Sequence, residues 1–421
     1  MSPPGSPFAA LDVGNQRVLA LIGEPDEHGA IVIRGVGMAP SGGMRAGQVV
    51  QMRPVVNAIR AAVEEAELMA KVPVERVYAC TAGVFVVGRM TRASITLGPR
   101  DREVSPRDLD ALHEAVRRQP LPPGHTVLNV VAPTYSLDDQ EGLLDPLGMP
   151  GRQLAIDAYV LAAQESPIRT LAKAINEAGM AVEEMVFSPV AASLATLTAD
   201  ERRLGAILID IGYGATTYAA FSSDKVMVAG CFPFGANKVN DDLVHRFQTT
   251  AAGAEKAKRE AGTVLLADVG EEETLSVPTI EGRGSHVVSR RELCKTVRVR
   301  LQETFELIAG EVLRQVPQDA PCTGVVLAGG GSHLDGIAAL AEEVFVKRAR
   351  LGELEGVVDA THLLQSPELP ARSPAAAVGL LAYARAAAST DSHVAVRERG
   401  RGEGLLSRLR RQLMTRKGGG S

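Results

Sequence analysis

The chain has 421 residues, of which 45% are apolar, so it can bury several cores and is expected to form two to four domains. Its 42 glycines and 24 prolines suit a turn-rich α/β protein, and its net charge of −5 argues against a general nucleic-acid binder. Four dispersed cysteines without a CxxC pair predict neither a zinc site nor disulfides, and they suit a reducing cytoplasm. The sequence has no run of about 18 apolar residues, which predicts that any membrane contact is peripheral.

The first predicted unit is an apolar strand, an Asp-x-Gly turn and a second strand, in residues 8–22. Asp12 and Gly14 form the turn, and a further strand is predicted at Ile31–Val36. Glycine at such a turn lets backbone N–H groups approach an anion, and a carboxylate at the strand end can hold the water shell of Mg²⁺. An ordinary hairpin with an aspartate at its turn is the alternative.

The next stretch indicates a small α+β unit inserted into a larger domain. It contains a predicted helix at Pro106–Gln119, a strand at Thr126–Ala132, a Gly/Pro turn and a strand at Ala155–Ala162.

The strand–turn–strand plan then recurs in residues 206–221. Its turn contains Asp210, Gly212 and Gly214, and it is followed by a predicted strand at Lys225–Cys231 and a helix at Asn240–Phe247. Two such hairpins facing each other would hold a nucleotide triphosphate from both sides, and two copies are harder to explain as ordinary turns than one.

A third glycine cluster consists of Gly329, Gly330, Gly331 and Ser332, after an apolar strand and before a helix predicted to begin near Leu334. Consecutive glycines let the backbone lie flat against a ring or ribose, and a helix N-terminus favours phosphate. A tight loop without a ligand is the alternative.

The C-terminal region is basic: residues 397–417 contain eight Arg or Lys against two Glu, which leaves −11 for the rest of the chain. Residues 389–404 have the composition of a flexible linker, and residues 405–417 are predicted to form an amphipathic helix. Its apolar face consists of Leu405, Leu406, Leu409 and Leu413, and Arg408, Arg410 and Arg411 lie outside it. Such a helix suits anionic lipid, although packing back on the protein is the alternative.

Taken in order, the two Asp-x-Gly hairpins and the glycine turn resemble the actin/Hsp70/sugar-kinase superfamily. Within it, residues 8–417 resemble the bacterial FtsA cell-division family. The most specific match is in the inserted unit, in residues 102–110, 127–138 and Asp145-Pro-Leu-Gly-Met149, which are similar to the family's subdomain 1C.

The resemblance implies an α/β, actin-like (ribonuclease-H-like) two-lobed fold with an inserted α+β subdomain of the 1C/SHS2 type. The implied domains are lobe 1A (8–82, with 163–203 and 365–388), subdomain 1C (83–162), lobe 2A (204–239, with 312–364), subdomain 2B (240–311), a linker (389–404) and a membrane-targeting helix (405–417).

The resemblance also implies ATP and Mg²⁺ as ligands, with Asp12 and Asp210 holding the metal through water. The implied nucleotide contacts are Asp12, Gly14, Asn15, Gln16, Arg17, Asp210, Gly212, Gly214, Thr216, Gly235, Glu255, Lys258, Gly329, Gly330, Gly331 and Ser332. Glu255 and Lys258 resemble a superfamily pair that contacts adenosine, although a solvated ion pair is the commoner role for such spacing.

The nucleotide loops depart from the family pattern in the second hairpin, where Tyr213, Ala215 and Thr217 replace a glycine, a hydroxyl residue and a closing aspartate. At the first connecting helix, Phe187-Ser188 offers neither an acidic residue nor a glutamine to orient water, which predicts a loss of roughly 10²–10⁴ in hydrolysis. We therefore expect at most a weak ATPase, and an empty site is the alternative.

The resemblance further implies partners: the C-terminal peptide of the tubulin-like FtsZ, further copies of the chain in an actin-like protofilament, anionic membrane lipid, and later divisome proteins through subdomain 1C. Arg290 and Arg300 are the candidate contacts for the acidic FtsZ peptide, with a solvated helix face as their alternative role. These partners imply a cell-division adaptor at the cytoplasmic face of the membrane, at the septum.

Two rival functions use the same fold. A PilM-like adaptor of type IV pilus assembly would not need the Asp145–Met149 segment or the basic tail. A small-molecule kinase would need a catalytic aspartate in a substrate cleft and larger inserts, which the sequence does not offer.

Overall fold

The computed structural model describes residues 7–26, 30–281, 283–317, 319–355, 357–359, 369 and 373–388. The linker predicted at 389–404 and the membrane helix predicted at 405–417 lie outside these residues. Within them, no helix is both long enough and apolar enough to cross a membrane.

The chain begins with an antiparallel meander of three strands that is followed by a long helix. The helix is amphipathic and buries Val55, Ile59 and Ala62 against the meander. These elements are β1 (Phe8–Val13), β2 (Arg17–Pro25), β3 (Ile31–Pro40), β4 (Met44–Arg45), β5 (Gln48–Val49), α1 (Met52–Ala70) and β6 (Arg76–Thr81).

The inserted unit is a four-stranded antiparallel sheet covered on one face by a helix, with its own apolar core. A capping box of Ser105 and Asp108 begins the helix, and Pro106 suits its first turn. The helix is shorter than predicted, and the middle strand is longer because it pairs along its length with the last strand. The elements are β7 (Val86–Thr96), β8 (Arg102–Glu103), α2 (Pro106–Arg117), β9 (His125–Leu137), β10 (Gln140–Leu143), β11 (Pro150–Gly151) and β12 (Gln153–Gln164).

The chain then returns to the first lobe, crosses to the second and repeats the meander there. The elements are α3 (Glu165–Glu177), β13 (Ala181–Phe187), α4 (Ser188–Thr196), α5 (Ala199–Leu204), β14 (Ala206–Ile211), β15 (Thr216–Ser222) and β16 (Lys225–Phe232).

The rest of the second lobe carries a helical subdomain with a small hairpin, and the last strand and the last helix return to the first lobe. The elements are α6 (Ala236–Phe247), α7 (Ala251–Ala261), β17 (Thr274–Pro278), β18 (Ser285–Ser289), α8 (Arg290–Gln315), β19 (Gly324–Ala328), α9 (Ile337–Phe345), β20 (Arg348–Leu351), β21 (Val357–Asp359) and α10 (Ala375–Ala388). Two predicted helix starts were wrong: α6 begins at Ala236, and α9 begins at Ile337 because a 3₁₀ turn at Gly330–His333 comes first.

The two main sheets repeat one topology. The first has the strand order β13-β6-β1-β2-β3-β21, and the second has the order β16-β15-β14-β19-β20. In each, the first hairpin strand pairs antiparallel with its neighbour and parallel with a later strand, β6 for β1 and β19 for β14.

Helices α4 and α10 cross between the lobes. At the crossing, a Cβ on Gly379 would collide with the backbone carbonyl of Ala191, so only glycine permits this approach. The largest apolar core continues from the first sheet through these helices to strands of the second sheet, whereas the far side of the second lobe has a separate core. The lobes therefore share a packed interface with an open cleft beside it.

Candidate functional site

A cavity of about 830 Å³ lies between the lobes, a size suited to a small organic ligand. The first lobe contributes Gln16, Arg17 and the end of β3 to its wall. The second lobe contributes Tyr213, the C-terminal part of α7 and the glycine turn after β19. The predicted residues that line this cavity are Gln16, Arg17, Glu255, Lys258, Gly330 and Gly331.

The two Asp-x-Gly turns are built alike. In the first, the N–H of Gly14 donates to the carbonyl of Arg17 over 3.0 Å, and in the second the N–H of Gly212 donates to Ala215 over the same distance. The turns meet tip to tip, because a Cβ on Gly214 would collide with the side-chain amide of Asn15. Asn15 accepts a hydrogen bond from the Gly47 N–H over 3.1 Å, which holds its amide at this junction.

Asp12 and Asp210 end their strands at the junction of the lobes and are largely enclosed. Burial raises the pKa of Asp210 to about 7, and the nearby charge of Asp12 adds to the shift. Burial also raises the pKa of Asp12, although the positive charge of Arg17 opposes the shift. The negative charge of the two aspartates is therefore not fully neutralised by neighbouring positive groups. Such a carboxylate pair favours a bound cation.

Two free cysteines flank the carboxylate pair. Burial raises the pKa of Cys80 well above its usual range, and the pKa of Cys231 rises to about 12 for the same reason. Both thiols therefore remain protonated at neutral pH. No group of three or more His, Cys, Asp or Glu side chains in the described part of the chain is arranged to hold a metal.

The glycine turn packs directly on the second hairpin. Gly329 has φ +81°, and a Cβ there would collide with the Asp210 carboxylate, while a Cβ on Gly331 would collide with the Ile211 side chain. Ser332 is fully buried and donates to the carbonyl of Gly329 over 2.7 Å, so its hydroxyl stabilises the turn. Gly330 and Gly331 are thereby left facing the cavity.

Two other predicted residues, Thr216 and Gly235, hold the second turn in shape. The Thr216 hydroxyl is buried and donates to the carbonyl of Phe234 over 3.0 Å. Gly235 lies against the carbonyl groups of Gly212 and Tyr213, too close for any side chain.

Glu255 and Lys258 form an ion pair on the cavity wall, with 2.7 Å between Nζ and Oε2. The Lys258 side chain is only 10% exposed, so the pair is not the solvated surface pair considered as an alternative. Although burial alone would raise it, the pKa of Glu255 is lowered by hydrogen bonds from Lys258 and Asn240, whereas burial lowers the pKa of Lys258. The pair therefore presents an oriented carboxylate and ammonium to a ligand.

Of three positions that depart from the family pattern, one borders the cavity and two are buried. Tyr213 is 36% exposed and borders the cavity. Thr217 is paired with Asp210 across the hairpin and is 3% exposed, and its hydroxyl has no hydrogen-bond partner among the described residues. Ser188 is buried at the first turn of α4.

The two arginines predicted to bind a peptide are both engaged in ion pairs. Arg290 lines the cavity and pairs with Glu273 at 2.6 Å. Arg300 makes a bidentate pair with Asp242 at 2.6 and 3.0 Å, with 34% of its side chain exposed.

Sequence reasoning missed part of the cavity wall: Met38, Ala39, Pro40, Arg259, His333, Asp335 and Ser373. Arg259 lies four residues after Glu255 on α7, so the helical spacing places both on one face and carried a signal for it. The others come from a strand end, a turn and the start of α10, which only the tertiary fold brings together.

Comparison with known proteins identifies the family. The family model for "Cell division protein FtsA" matches residues 207–380, and the model for "SHS2 domain inserted in FTSA" matches residues 86–162. The "Cell division protein FtsA" of Neisseria meningitidis is 32% identical over 413 residues, covering 96% of this chain and 97% of that protein. This chain belongs to the FtsA family. The FtsA of Pseudomonas aeruginosa is 31% identical over 379 residues, covering 90% of this chain and 89% of the relative.

Solved structures confirm the actin-like fold. The chain matches a structure of the PilM–PilN type IV pilus biogenesis complex with a TM-score of 0.61 at 18% identity, over 90% of this chain and 98% of that chain. It also matches the MamK double helical filament with a TM-score of 0.50 at 14% identity, over 90% and 98%. These likenesses concern the fold alone, whereas the FtsA relatives and the SHS2 domain confirm the predicted family and the inserted subdomain.

Proposed function

We propose that this FtsA-family chain is an ATP-binding, actin-like adaptor that attaches FtsZ filaments to the inner face of the cytoplasmic membrane at the septum. The observation that carries the nucleotide part is the pair of facing Asp-x-Gly turns, closed by the same hydrogen bond, beside one cavity of about 830 Å³. Membership of a cell-division family supports the adaptor part.

The residues at the junction fit a magnesium–triphosphate group. Asp12 and Asp210 would hold Mg²⁺ through water, and the cation would neutralise charge on the phosphates. Their incompletely compensated carboxylates support this assignment. Arg17 would meet phosphate, Glu255 and Lys258 would bind ribose hydroxyls, and Gly330–Gly331 would lie against the nucleoside.

The same site suits binding better than hydrolysis. Ser188 is buried and can supply only a hydroxyl at the first connecting helix, and Thr217 supplies no carboxylate opposite Asp210. Without a group to orient water, turnover loses roughly 10²–10⁴. ATP would therefore act chiefly as a ligand that joins the two lobes and favours assembly of an actin-like filament.

Titration of a fluorescent ATP analogue into the full chain tests the nucleotide part. Binding should require Mg²⁺, and Lys258→Ala should weaken it at least about tenfold, because a charged hydrogen bond contributes roughly 1.5–3 kcal/mol. Lys173→Ala, which removes a lysine from an exposed helical pair with Glu177, is the matched control. Equal affinity in all three proteins, or none in the wild type, would contradict nucleotide binding at this cavity.

The membrane part depends on the tail. The face formed by Leu405, Leu406, Leu409 and Leu413 would enter the lipid interface, and the arginines Arg408, Arg410 and Arg411 would attract anionic headgroups at about 1 kcal/mol each. The face has no aromatic residue, so one tail should bind weakly and a filament should bind by avidity.

Sedimentation with anionic liposomes tests this part, using the intact chain and a truncation before Leu405, each with and without Mg·ATP. The intact chain should pellet more, and Mg·ATP should increase the difference if it promotes filaments. Equal pelleting of both chains would exclude the tail as the anchor.

The FtsZ peptide would bind subdomain 2B. Arg300 is the better placed of the two proposed contacts because it is one-third exposed, whereas Arg290 lies on the nucleotide cavity. An acidic peptide would compete with Asp242 for Arg300. Arg300→Ala should weaken binding of the FtsZ C-terminal peptide severalfold, whereas Arg314→Ala on the same helix, whose partner is Glu311, should not. Later divisome proteins would use the inserted subdomain.

A further inference from the structure

Strand β12 of the inserted subdomain has two buried faces. Its residues Leu154, Ile156, Ala158 and Val160 belong to the subdomain's own core, together with side chains of α2. The alternate residues Tyr159, Leu161 and Ala163 belong to the large core of the main body. Because side chains alternate along a strand, Tyr159 points away from α2 and towards the rest of the protein.

Tyr159 lies where this second face changes from apolar to polar. Two residues earlier, Asp157 is partly exposed and pairs with Arg92 at 3.4 Å. Tyr159 itself is 2% exposed and crosses strand β7 at Gly88, where any Cβ would collide with the tyrosine ring. Because Gly88 has no side chain, the Tyr159 ring can pack across β7 and extend beyond its own sheet.

At the end of that path, Tyr159 contacts the second lobe. The backbone N–H of Ala229 donates to the Tyr159 hydroxyl over 3.0 Å, in a buried position. Ala229 lies in β16, the edge strand of the second main sheet. This hydrogen bond links the inserted subdomain directly to that sheet.

Strand β16 leads from this contact to the second Asp-x-Gly turn. It is followed by Gly235, which lies against the carbonyl groups of Gly212 and Tyr213. The next two N–H groups, of Ala236 and Asn237, donate to these same carbonyl groups over 3.0 and 2.9 Å. A displacement of β16 would therefore also displace the second Asp-x-Gly turn, which is proposed to contact the phosphates.

We propose that the Tyr159–Ala229 contact couples the inserted subdomain to the second phosphate turn, so that a ligand in the cleft controls how firmly the subdomain is held against the second lobe. The contact itself depends only on the ligand-free geometry, whereas its control by ligand rests on the proposed nucleotide binding. Tyr159 is thus a positioning residue at a distance from the cavity. Through this contact, a ligand in the cleft would regulate the surface of the inserted subdomain.

Amide hydrogen exchange on the full-length chain, with and without Mg·ATP, tests the coupling. Tyr159→Phe removes only the acceptor for Ala229, and Tyr135→Phe is the matched control because the Tyr135 hydroxyl bonds His113 within the same subdomain, at 2.9 Å. Without nucleotide, Tyr159→Phe should speed exchange in residues 225–232 by about two- to tenfold, the loss expected for one hydrogen bond, whereas Tyr135→Phe should not. Gly88→Ala, which displaces the ring, should match or exceed the effect of Tyr159→Phe.

With Mg·ATP, the wild type should exchange more slowly both around residues 210–216 and in the inserted strands at 86–96 and 153–164. Tyr159→Phe should keep the first response and lose the second, a separation that a general loss of stability would not produce. Unchanged exchange in β16, or a retained response of the inserted strands, would overturn the coupling. A wild type that shows no response to Mg·ATP anywhere would instead refute nucleotide binding. The comparison of Tyr159→Phe with the wild type without nucleotide would still show whether the Tyr159–Ala229 contact stabilises β16.

Discussion

Replacing Asp210 by Asn should stabilise the ligand-free protein at alkaline pH while weakening its response to Mg·ATP. The enclosed carboxyl has a pKa of about 7 in the folded chain against 3.8 in the unfolded chain. Because the folded pKa is raised, the stability linked to this group is complete below pH 3.8 and is lost as the pH rises towards 7. Above pH 8 the ionised group therefore costs the folded state about 4 kcal/mol, and at pH 5.5 about 2 kcal/mol.

Asparagine removes this cost but buries an amide that the site was not built to satisfy, at about 1–3 kcal/mol. The net gain expected at pH 8.5 is therefore roughly 1–3 kcal/mol, and at pH 5.5 it should fall to near zero or reverse. In the wild type, Mg²⁺ would compensate the charge, so the order of stabilities should invert when Mg·ATP is present.

Thermal unfolding at pH 5.5 and 8.5, with and without Mg·ATP, measures these differences. Asp157→Asn is the control, because Asp157 lies within β12 of the inserted subdomain, where it pairs with Arg92, and does not line the cavity. A ligand-free Asp210→Asn protein that melts below the wild type at pH 8.5, or a gain that does not depend on pH, would refute the view that this carboxylate is held at a cost to stability.

Three further substitutions test other parts of the structure. Gly214→Ala should separate the two turns by collision with Asn15 and lower Mg·ATP affinity at least about tenfold, with circular dichroism unchanged, whereas Gly310→Ala, on helix α8 with open space where a Cβ would lie, should leave affinity unaltered. Gly379→Ala should collide with the Ala191 carbonyl at the crossing of α4 and α10 and lower the free energy of unfolding by about 1–3 kcal/mol, measured by chemical denaturation. Asp108→Asn should destabilise the inserted subdomain by about 1–2 kcal/mol, because it breaks a bidentate pair with Arg102 and a capping box with Ser105. The hydrogen bonds from Arg102 and Ser105 lower the pKa of Asp108, so the variant's deficit should begin to shrink as the pH falls below about 4 and should disappear only when the pH reaches the lowered pKa.

The repeated hairpins were predictable because their signal is local. An apolar run that ends in Asp-x-Gly specifies both the strand and the turn, and the turns at Gly14 and Gly212 indeed close with the same hydrogen bond. The inserted subdomain was also predictable, because alternating strands and a capped helix occur within one continuous segment. The error at Leu334 arose where the segment Gly330–His333 forms a 3₁₀ turn, a conformation that apolar periodicity does not encode.

What the sequence could not supply is the set of contacts between distant segments. Asn15 was expected to face phosphate, but its carbonyl oxygen is bonded to Gly47 and its amide lies against Gly214. Arg290 was expected on a peptide-binding surface and lies on the cavity wall. Neither outcome follows from spacing, because each depends on contacts between segments that are distant in the sequence.

On the proposed function, close contacts at glycines explain how the site can hold a ligand without catalytic groups. Gly214, Gly235, Gly329 and Gly379 each allow a close approach of a neighbouring segment that a side chain would prevent, between the lobes at Gly214 and within the second lobe at Gly235 and Gly329. The substitutions at Tyr213 and Thr217 instead affect positions beside the junction, one exposed at the cavity and one buried opposite Asp210. On the proposed function, a bound Mg·ATP compensates the carboxylates where the two lobes meet, so it stabilises the closed arrangement whether or not it is hydrolysed. An adaptor that works as a filament requires such a joined state to persist, and slow turnover would prolong it.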